Sequence, residues 1–463
     1  MPTSHRNAPR VEPVPAALAG LSPAECLARL RRRRGLVFLD SAGGSPQNFS
    51  LLAFDPLRIP APQDLRGLRE TMRSLERVGG DRPPFFSGGF LGALSYDLGV
   101  EHEALALPRD PWRLPRVLGG LYVDFLLFDH GRGETWLVLG ERPSDDRPSL
   151  AQRRDSLHSD LALEPAPRAP FRVLSGPRRL VSSRDHRRRV ERAREEIGRG
   201  EIYQANLSHR FAAEVEGDPL DIYLALRRAH PAPYAGFLAQ DDAAILCASP
   251  ELLLELEAGV ARTRPIKGTA PRGVTSEEDE RNAAALLASD KDRAELAMIV
   301  DLERNDLGRV AVAGGVTVDP FPRLESYVSV HHLVADVRAR LPAERDPIDV
   351  LASLFPGGSV TGAPKLRSME LIGELEEEGR GFSYGSLVAL DTEGRLAANI
   401  LIRTLLWRAR PGPESSGAGE VTWRLGGGIT WGSDPAAEEA ESLAKGSALA
   451  EVLRSREARV ARA

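Results

Sequence analysis

Cysteine is nearly missing from this 463-residue chain: only Cys26 and Cys247 occur. Two thiols exclude a disulfide framework, and neither has the Cys/His spacing of a zinc site. Long apolar runs are also missing. Nothing approaches a membrane span, and residues 1–15 are polar and proline-rich, without the apolar stretch of a secretory signal. The expectation is therefore a cytoplasmic protein. Charge of one sign is not in excess either: the net charge is -5, which advertises neither a nucleic-acid nor a membrane partner. Lysine is the sharpest scarcity. Lys and Arg total 61, yet the only lysines are Lys267, Lys291, Lys365 and Lys445. A lysine kept against such a bias marks a position that needs an amine able to lose its proton, which arginine cannot supply.

What is present is ordinary globular composition, 42% hydrophobic and 27% charged, in a chain long enough to bury a large core. Short apolar runs at 36–39, 121–128, 202–211, 234–238, 243–248, 252–256, 386–390 and 399–406 read as strands. Helical patterns cover 185–199, 275–304 (one long or broken helix, with Thr275 and Glu278 spaced as a capping box), 364–378 and 435–456. The polar, proline-rich 144–170 reads as a loop or linker. Strands and helices without strict alternation give an α+β fold.

Three constellations could carry chemistry. Asp292 and Glu295 share a helix face, as do Glu438, Glu441 and Lys445. Two such faces could hold a hard divalent cation, though the same spacing also occurs on solvated surfaces. Glycine-rich turns at Gly426-Gly427-Gly428 and at 356–365 could present backbone amides to an anion. Neither matches a phosphate loop, so a small carboxylate substrate fits better than a nucleotide. Lastly, Lys267 lies between a proline-led strand end and Gly268, in Arg264-Pro265-Ile266-Lys267-Gly268-Thr269-Ala270. Its alternative is an ordinary exposed lysine.

Together these segments resemble the chorismate-binding enzymes, which include the anthranilate, aminodeoxychorismate, isochorismate and salicylate synthases. The likeness is dense from about residue 186 to 450. It runs through Glu201-Ile202-Tyr203-Gln204-Ala205-Asn206-Leu207-Ser208, Ser249-Pro250-Glu251, the Pro265 to Gly273 run, Glu295 to Arg309, and residues 357–365, 399–404 and 426–445. It weakens over the N-terminal part. The resemblance implies two large packed antiparallel sheets ringed by helices, with an N-terminal lobe at 1–180 and a catalytic region at 181–460.

It also implies chorismate as substrate and Mg2+ as cofactor, on Glu295 and Glu441, with Glu438 and Asp292 acting through water. By the same resemblance, Arg403 and the amides of Gly426, Gly427 and Gly428 would hold the side-chain carboxylate. Gly268, Thr269, Gln204 and Lys445 would complete the substrate site. Glu251 resembles the family's general acid, and His332 the histidine beside the leaving hydroxyl. Lys267 selects the aminodeoxychorismate branch, where lysine follows Pro-Ile and attacks the ring. Gln204, where isochorismate and salicylate synthases carry a basic lysine, speaks against water as nucleophile. No segment resembles a glutaminase, so ammonia is expected from a separate glutaminase subunit. Two departures stand out: Ala270 replaces an arginine, and Ser383-Tyr384 shifts a tyrosine by one place. Anthranilate synthesis is the alternative reaction, and a non-catalytic binding subunit the alternative class.

Overall fold

A computed structural model describes residues 10–454 except 16–17, 19, 43–48, 58–61, 76–82, 102, 104, 141–146, 166–168, 328–329 and 412–416. Three sheets are built from it, of twelve, eight and three strands, and every strand pair is antiparallel. The strands that read as continuous apolar runs are buried on both faces. Ala243–Ser249 and Ser386–Asp391 are buried at every position, because one side packs on the other large sheet and the opposite side on helices.

The layer between the two large sheets holds Val37, Leu51, Leu238 and Ile245 from one and Leu91, Ala93, Leu387 and Ala389 from the other. Outside the twelve-stranded sheet, Leu27, Leu157, Tyr223 and Leu453 cover it from four helices. Outside the eight-stranded sheet, Leu68, Leu296, Val300 and Leu351 do the same. Helices Ser183–Gly198 and Lys365–Glu376 cover the strand Gln204–Glu216. Both large sheets take strands from either side of residue 180. Val37–Asp40 pairs with Tyr234–Gln240, and Gly89–Leu94 pairs with Ser386–Asp391. Among the described residues no helix is long and apolar enough to cross a membrane.

Several elements differ from the sequence reading. Residues 144–170 are not a loop throughout. Helix Leu150–Ala162 forms there, because Ser149 and Gln152 cap each other's backbone; residues 144–146 and 166–168 lie outside the described residues. The run 121–128 divides between strands Val117–Tyr122 and Asp124–Asp129, which belong to different large sheets. Residues 399–406 also divide: strand Leu396–Asn399 ends, Arg403 takes φ 50, and Thr404–Ala409 resumes in the other sheet. Ser289 closes helix Ser276–Ala288 and caps helix Asp290–Gly308. The terminal helix breaks at Gly446, where a Cβ would lie 2.3 Å from Leu425; residues 455–456 lie outside the described residues.

Candidate active site

Lys267 sits on strand Ile266–Pro271 of the three-stranded sheet, beside Val330–Val334. The pairing is irregular between Lys267 and Thr269, where Gly268 takes φ 76. A Cβ at Gly268 would stand 2.9 Å from Leu286 and 3.0 Å from Asp292, so glycine lets both helices beyond approach the strand. The register sets Thr269 opposite His332, and Thr269 Oγ1 lies 2.9 Å from His332 Nδ1. Burial, helped by the cation of Arg403, pushes His332 down to about 4, so its ring is neutral at neutral pH.

Glu251 is buried in the turn between strands Ala243–Ser249 and Leu252–Glu257, with Oε1 lacking a hydrogen-bond partner. Burial raises its carboxyl above the ordinary range, against the attraction of Lys267. The same burial lowers the Lys267 ammonium, and the charge of Lys445 adds to it; Glu251, Glu295 and Glu441 act in the opposite sense. Residues from three other parts of the chain therefore meet electrostatically at one amine.

Glu295 projects from helix Asp290–Gly308. Burial raises its carboxyl, with Asp292 and Glu438 adding, while Lys267 and Lys291 oppose. On helix Pro435–Lys445, Glu438 is buried and accepts from Ser433 Oγ at 2.7 Å. Glu441 is half-exposed and lies 2.6 Å from Lys445 Nζ. Burial would raise Glu441, but Lys445 carries it below the ordinary range. Among the described residues no three acidic, His or Cys side chains form a ready metal cluster. The donors nevertheless suit a hard cation: all are carboxylate oxygens, and Asp292 and Glu438 set further negative charge beside Glu295, where the cations of Lys267 and Lys291 also reach.

Gly426, Gly427 and Gly428 lie on strand Ala418–Ile429, opposite Ser208, Leu207 and Asn206. A Cβ on Gly427 would stand 3.4 Å from Glu438 Oε2 and 4.0 Å from Lys445 Nζ; one on Gly428 would collide with Gln204 Nε2 at 2.1 Å. Gln204 is buried with both amide atoms unpartnered. Arg403 lies just past the strand break with Nη1 2.9 Å from His230 Nε2, and is within range of Glu251 and His332. Burial and Arg403 together push His230 down to about 4, which leaves it a neutral acceptor.

Two neighbours were not singled out from the sequence. Asn206 Oδ1 and Ser359 Oγ are buried without partners, and Asn206 Nδ2 donates to Ser359 O at 3.1 Å. Both lie inside segments noted for their resemblance, but no spacing rule marks a lone amide or hydroxyl. The shifted Tyr384 is buried at φ 67 with its ring 4.6 Å from the Arg380 guanidinium, and Tyr96 lies 4.8 Å from that guanidinium. The tyrosine thus serves a buried arginine. Ala270 packs half-buried against the apolar cluster of the eight-stranded sheet.

Residues 44–451 match the family model described as chorismate binding enzyme. A relative named aminodeoxychorismate synthase component 1, from Klebsiella aerogenes, is 39% identical over 363 residues, covering 78% of this chain and 76% of its own length. One of the same name from Bacillus subtilis strain 168 is 33% identical over 454 residues, covering 93% of each. The crystal structure of anthranilate synthase component I from Streptococcus pneumoniae TIGR4 superposes with a TM-score of 0.73 at 29% identity, over 88% of this chain and 92% of that one.

Proposed function

The chain belongs to the chorismate-binding enzyme family, and from that premise we propose that it is an aminodeoxychorismate synthase component 1 that replaces the ring hydroxyl of chorismate by an amino group. The observation that carries the reading is Lys267, one of four lysines in the chain, with its ammonium destabilised by burial within reach of Glu251, Glu295 and Glu441.

A neutral Lys267 amine attacks ring carbon 2. Both conjugated ring double bonds shift, and the bond from carbon 4 to its hydroxyl breaks. Glu251, whose burial favours the protonated form, gives its proton to the departing oxygen, which leaves as water. Ammonia then bonds to carbon 4, both double bonds shift back, and Lys267 departs as the amine, with the surplus proton of the added ammonia returning to Glu251. Two easier displacements replace one difficult one. Arg403 offers a planar fork to a substrate carboxylate. Neutral His332, fixed by Thr269, stands by the leaving hydroxyl. Glu295, Glu441 and Glu438 would hold Mg2+, which when bound supplies charge neutralisation for the ring carboxylate and withdraws electrons from the ring. The designation component 1 in the relatives' names supports a second component, which we take to be a glutaminase supplying ammonia in the cytoplasm, in the route to 4-aminobenzoate and folate.

The test is mass spectrometry of the product formed from chorismate, ammonium and magnesium. The expected product keeps the enolpyruvyl group and carries nitrogen in place of the hydroxyl. Fluorescent anthranilate with released pyruvate would assign the chain to the alternative reaction.

A further inference from the structure

A fully enclosed arginine lies beside the strand that carries Gln204 and Asn206. Arg380 is 3% exposed, in the stretch between helix Lys365–Glu376 and strand Ser386–Asp391. Its guanidinium is held between two rings, Tyr96 at 4.8 Å and Tyr384 at 4.6 Å. Nε donates to Glu376 Oε2 at 3.0 Å, and Nη2 to Glu376 Oε1 at 2.6 Å. Two further bonds leave this ion pair. Nη2 donates to Asn206 O at 2.6 Å, and Nη1 to Val360 O at 2.8 Å. One planar fork therefore ties strand Gln204–Glu216 to the short turn Gly358–Val360.

Both tied segments border the cleft of the proposed reaction. Gln204 and Asn206 stand two apart on one strand, so they share a face. Asn206 pairs with Gly428, over which the Gln204 amide lies. Gly357 leads into the turn, and a Cβ on it would stand 2.8 Å from Ile400 and 3.2 Å from Leu253. Ile400 N in turn donates to Glu251 O at 3.1 Å. Asn206 is fixed on its other sides as well. Its backbone N donates to Thr361 O at 2.7 Å, and Nδ2 to Ser359 O at 3.1 Å. Asn206 Oδ1 and Ser359 Oγ stay free, although both are buried.

We propose that Arg380 is a positioning residue for the amination: it fixes the edge formed by Asn206 and Ser359, so that their free oxygen atoms meet the substrate in one arrangement. The proposal rests on the reading of this cleft as the chorismate site. A lysine would balance Glu376, but an ammonium cannot present a planar fork to a carboxylate and two carbonyls at once. A misplacement of about 1 Å at such an edge is enough to cost about a hundredfold in rate.

The experiment is a double-mutant cycle on kcat for chorismate consumption, with ammonium and magnesium, in wild type, Arg380→Lys, Asn206→Ala and the double variant. Rates are taken per folded enzyme. Each single variant should lower kcat about tenfold. The double variant should be no slower than the slower single one, because both changes spoil the same arrangement. Losses that multiply to about a hundredfold, or an unchanged kcat in either single variant, overturn the proposal. If Arg380→Lys does not fold, Tyr384→Leu takes its place in the cycle, since it removes one ring from the guanidinium and leaves the carbonyl bonds to form. Amide hydrogen exchange gives a readout that needs no turnover. Residues 204–208 and 357–362 should exchange faster in Arg380→Lys, while Ala243–Ser249 keeps its protection. Unchanged exchange in the two tied segments also overturns the proposal. If they loosen as expected but wild type consumes no chorismate, the proposed reaction is what fails.

Discussion

At the scale of single residues, one physical cause acts in opposite directions on two neighbours. Burial disfavours charge, so it lowers the Lys267 ammonium and raises the Glu251 carboxyl. The same enclosure leaves Lys267 less basic and Glu251 less acidic than in water. Lys267→Ala should lower ammonia-supported amination on the order of 10³-fold, and Lys267→Arg should lower it as much, because arginine keeps the charge but never presents a neutral amine. Steady-state rates check this; activity retained in the arginine variant would reduce Lys267 to a fixed charge. Glu295→Gln should raise the magnesium concentration needed for half-maximal rate about tenfold or more, as loss of a hard ligand does. An unchanged magnesium titration excludes Glu295 as a ligand. The sequence made the scarce lysine and the helix-borne acids legible through composition and spacing. Asn206 and Ser359 were not legible as neighbours of the site, because a polar side chain shows its lack of partners only once its surroundings are built.

At the scale of elements, the glycine run divides by what each position faces. A Cβ on Gly426 would meet the backbone of Leu207, with its carbonyl oxygen 2.3 Å away, and neither strand can yield easily. Gly426→Ala should therefore cost about 1–3 kcal/mol of stability, read as a lowered Tm. Gly427 faces only Glu438 and Lys445, so Gly427→Ala should leave Tm nearly unchanged and raise KM for chorismate. A matching Tm loss in both would deny the distinction.

Helix Pro435–Lys445 is fastened to helix Ser183–Gly198 by Glu439, which accepts from Ser183 and, at 2.5 Å, from Arg187, and also from Arg179 at the end of strand Arg172–Arg179. Beneath it His186 and His209 stack at 4.2 Å, and His209 Nε2 lies 2.9 Å from Ser442 Oγ. Burial pushes the two imidazoles down to about 4 and about 3. Their folded forms stay neutral while the unfolded chain takes up protons below pH about 6.5. Stability should thus fall as pH drops from about 6.5 toward about 4, by about 1.4 kcal/mol per pH unit for each histidine. Denaturant midpoints across this range should fall less steeply in His209→Gln; parallel curves would remove the histidine from the account. Helical patterning made these helices legible in the sequence; the tertiary contacts that bury the histidines left no mark there.

At the scale of the whole molecule, the chain crosses repeatedly between its two large sheets. Residues 181–463 expressed alone should fail to fold to a state with native near-UV dichroism, because the edges of Tyr234–Gln240 and Ser386–Asp391 would lose Val37–Asp40 and Gly89–Leu94. A cooperative, natively packed fragment would show the interleaving to be dispensable. The same interleaving explains what local patterns missed. A run such as 121–128 reads as extended whichever sheet it joins, and 399–406 reads as one strand although Arg403 turns the chain from one sheet to the other.

The sequence by itself determined the α+β class, most strand and helix cores, the family likeness, and the pairs of acids that share helix faces. These depend on periodicity and on residue chemistry, which are local. Only the tertiary structure decided which acids share an enclosure with Lys267, which amides and hydroxyls are left unpartnered, and which of the two large sheets each strand enters. Burial and field strength depend on residues far apart in the chain, and no spacing along it encodes them.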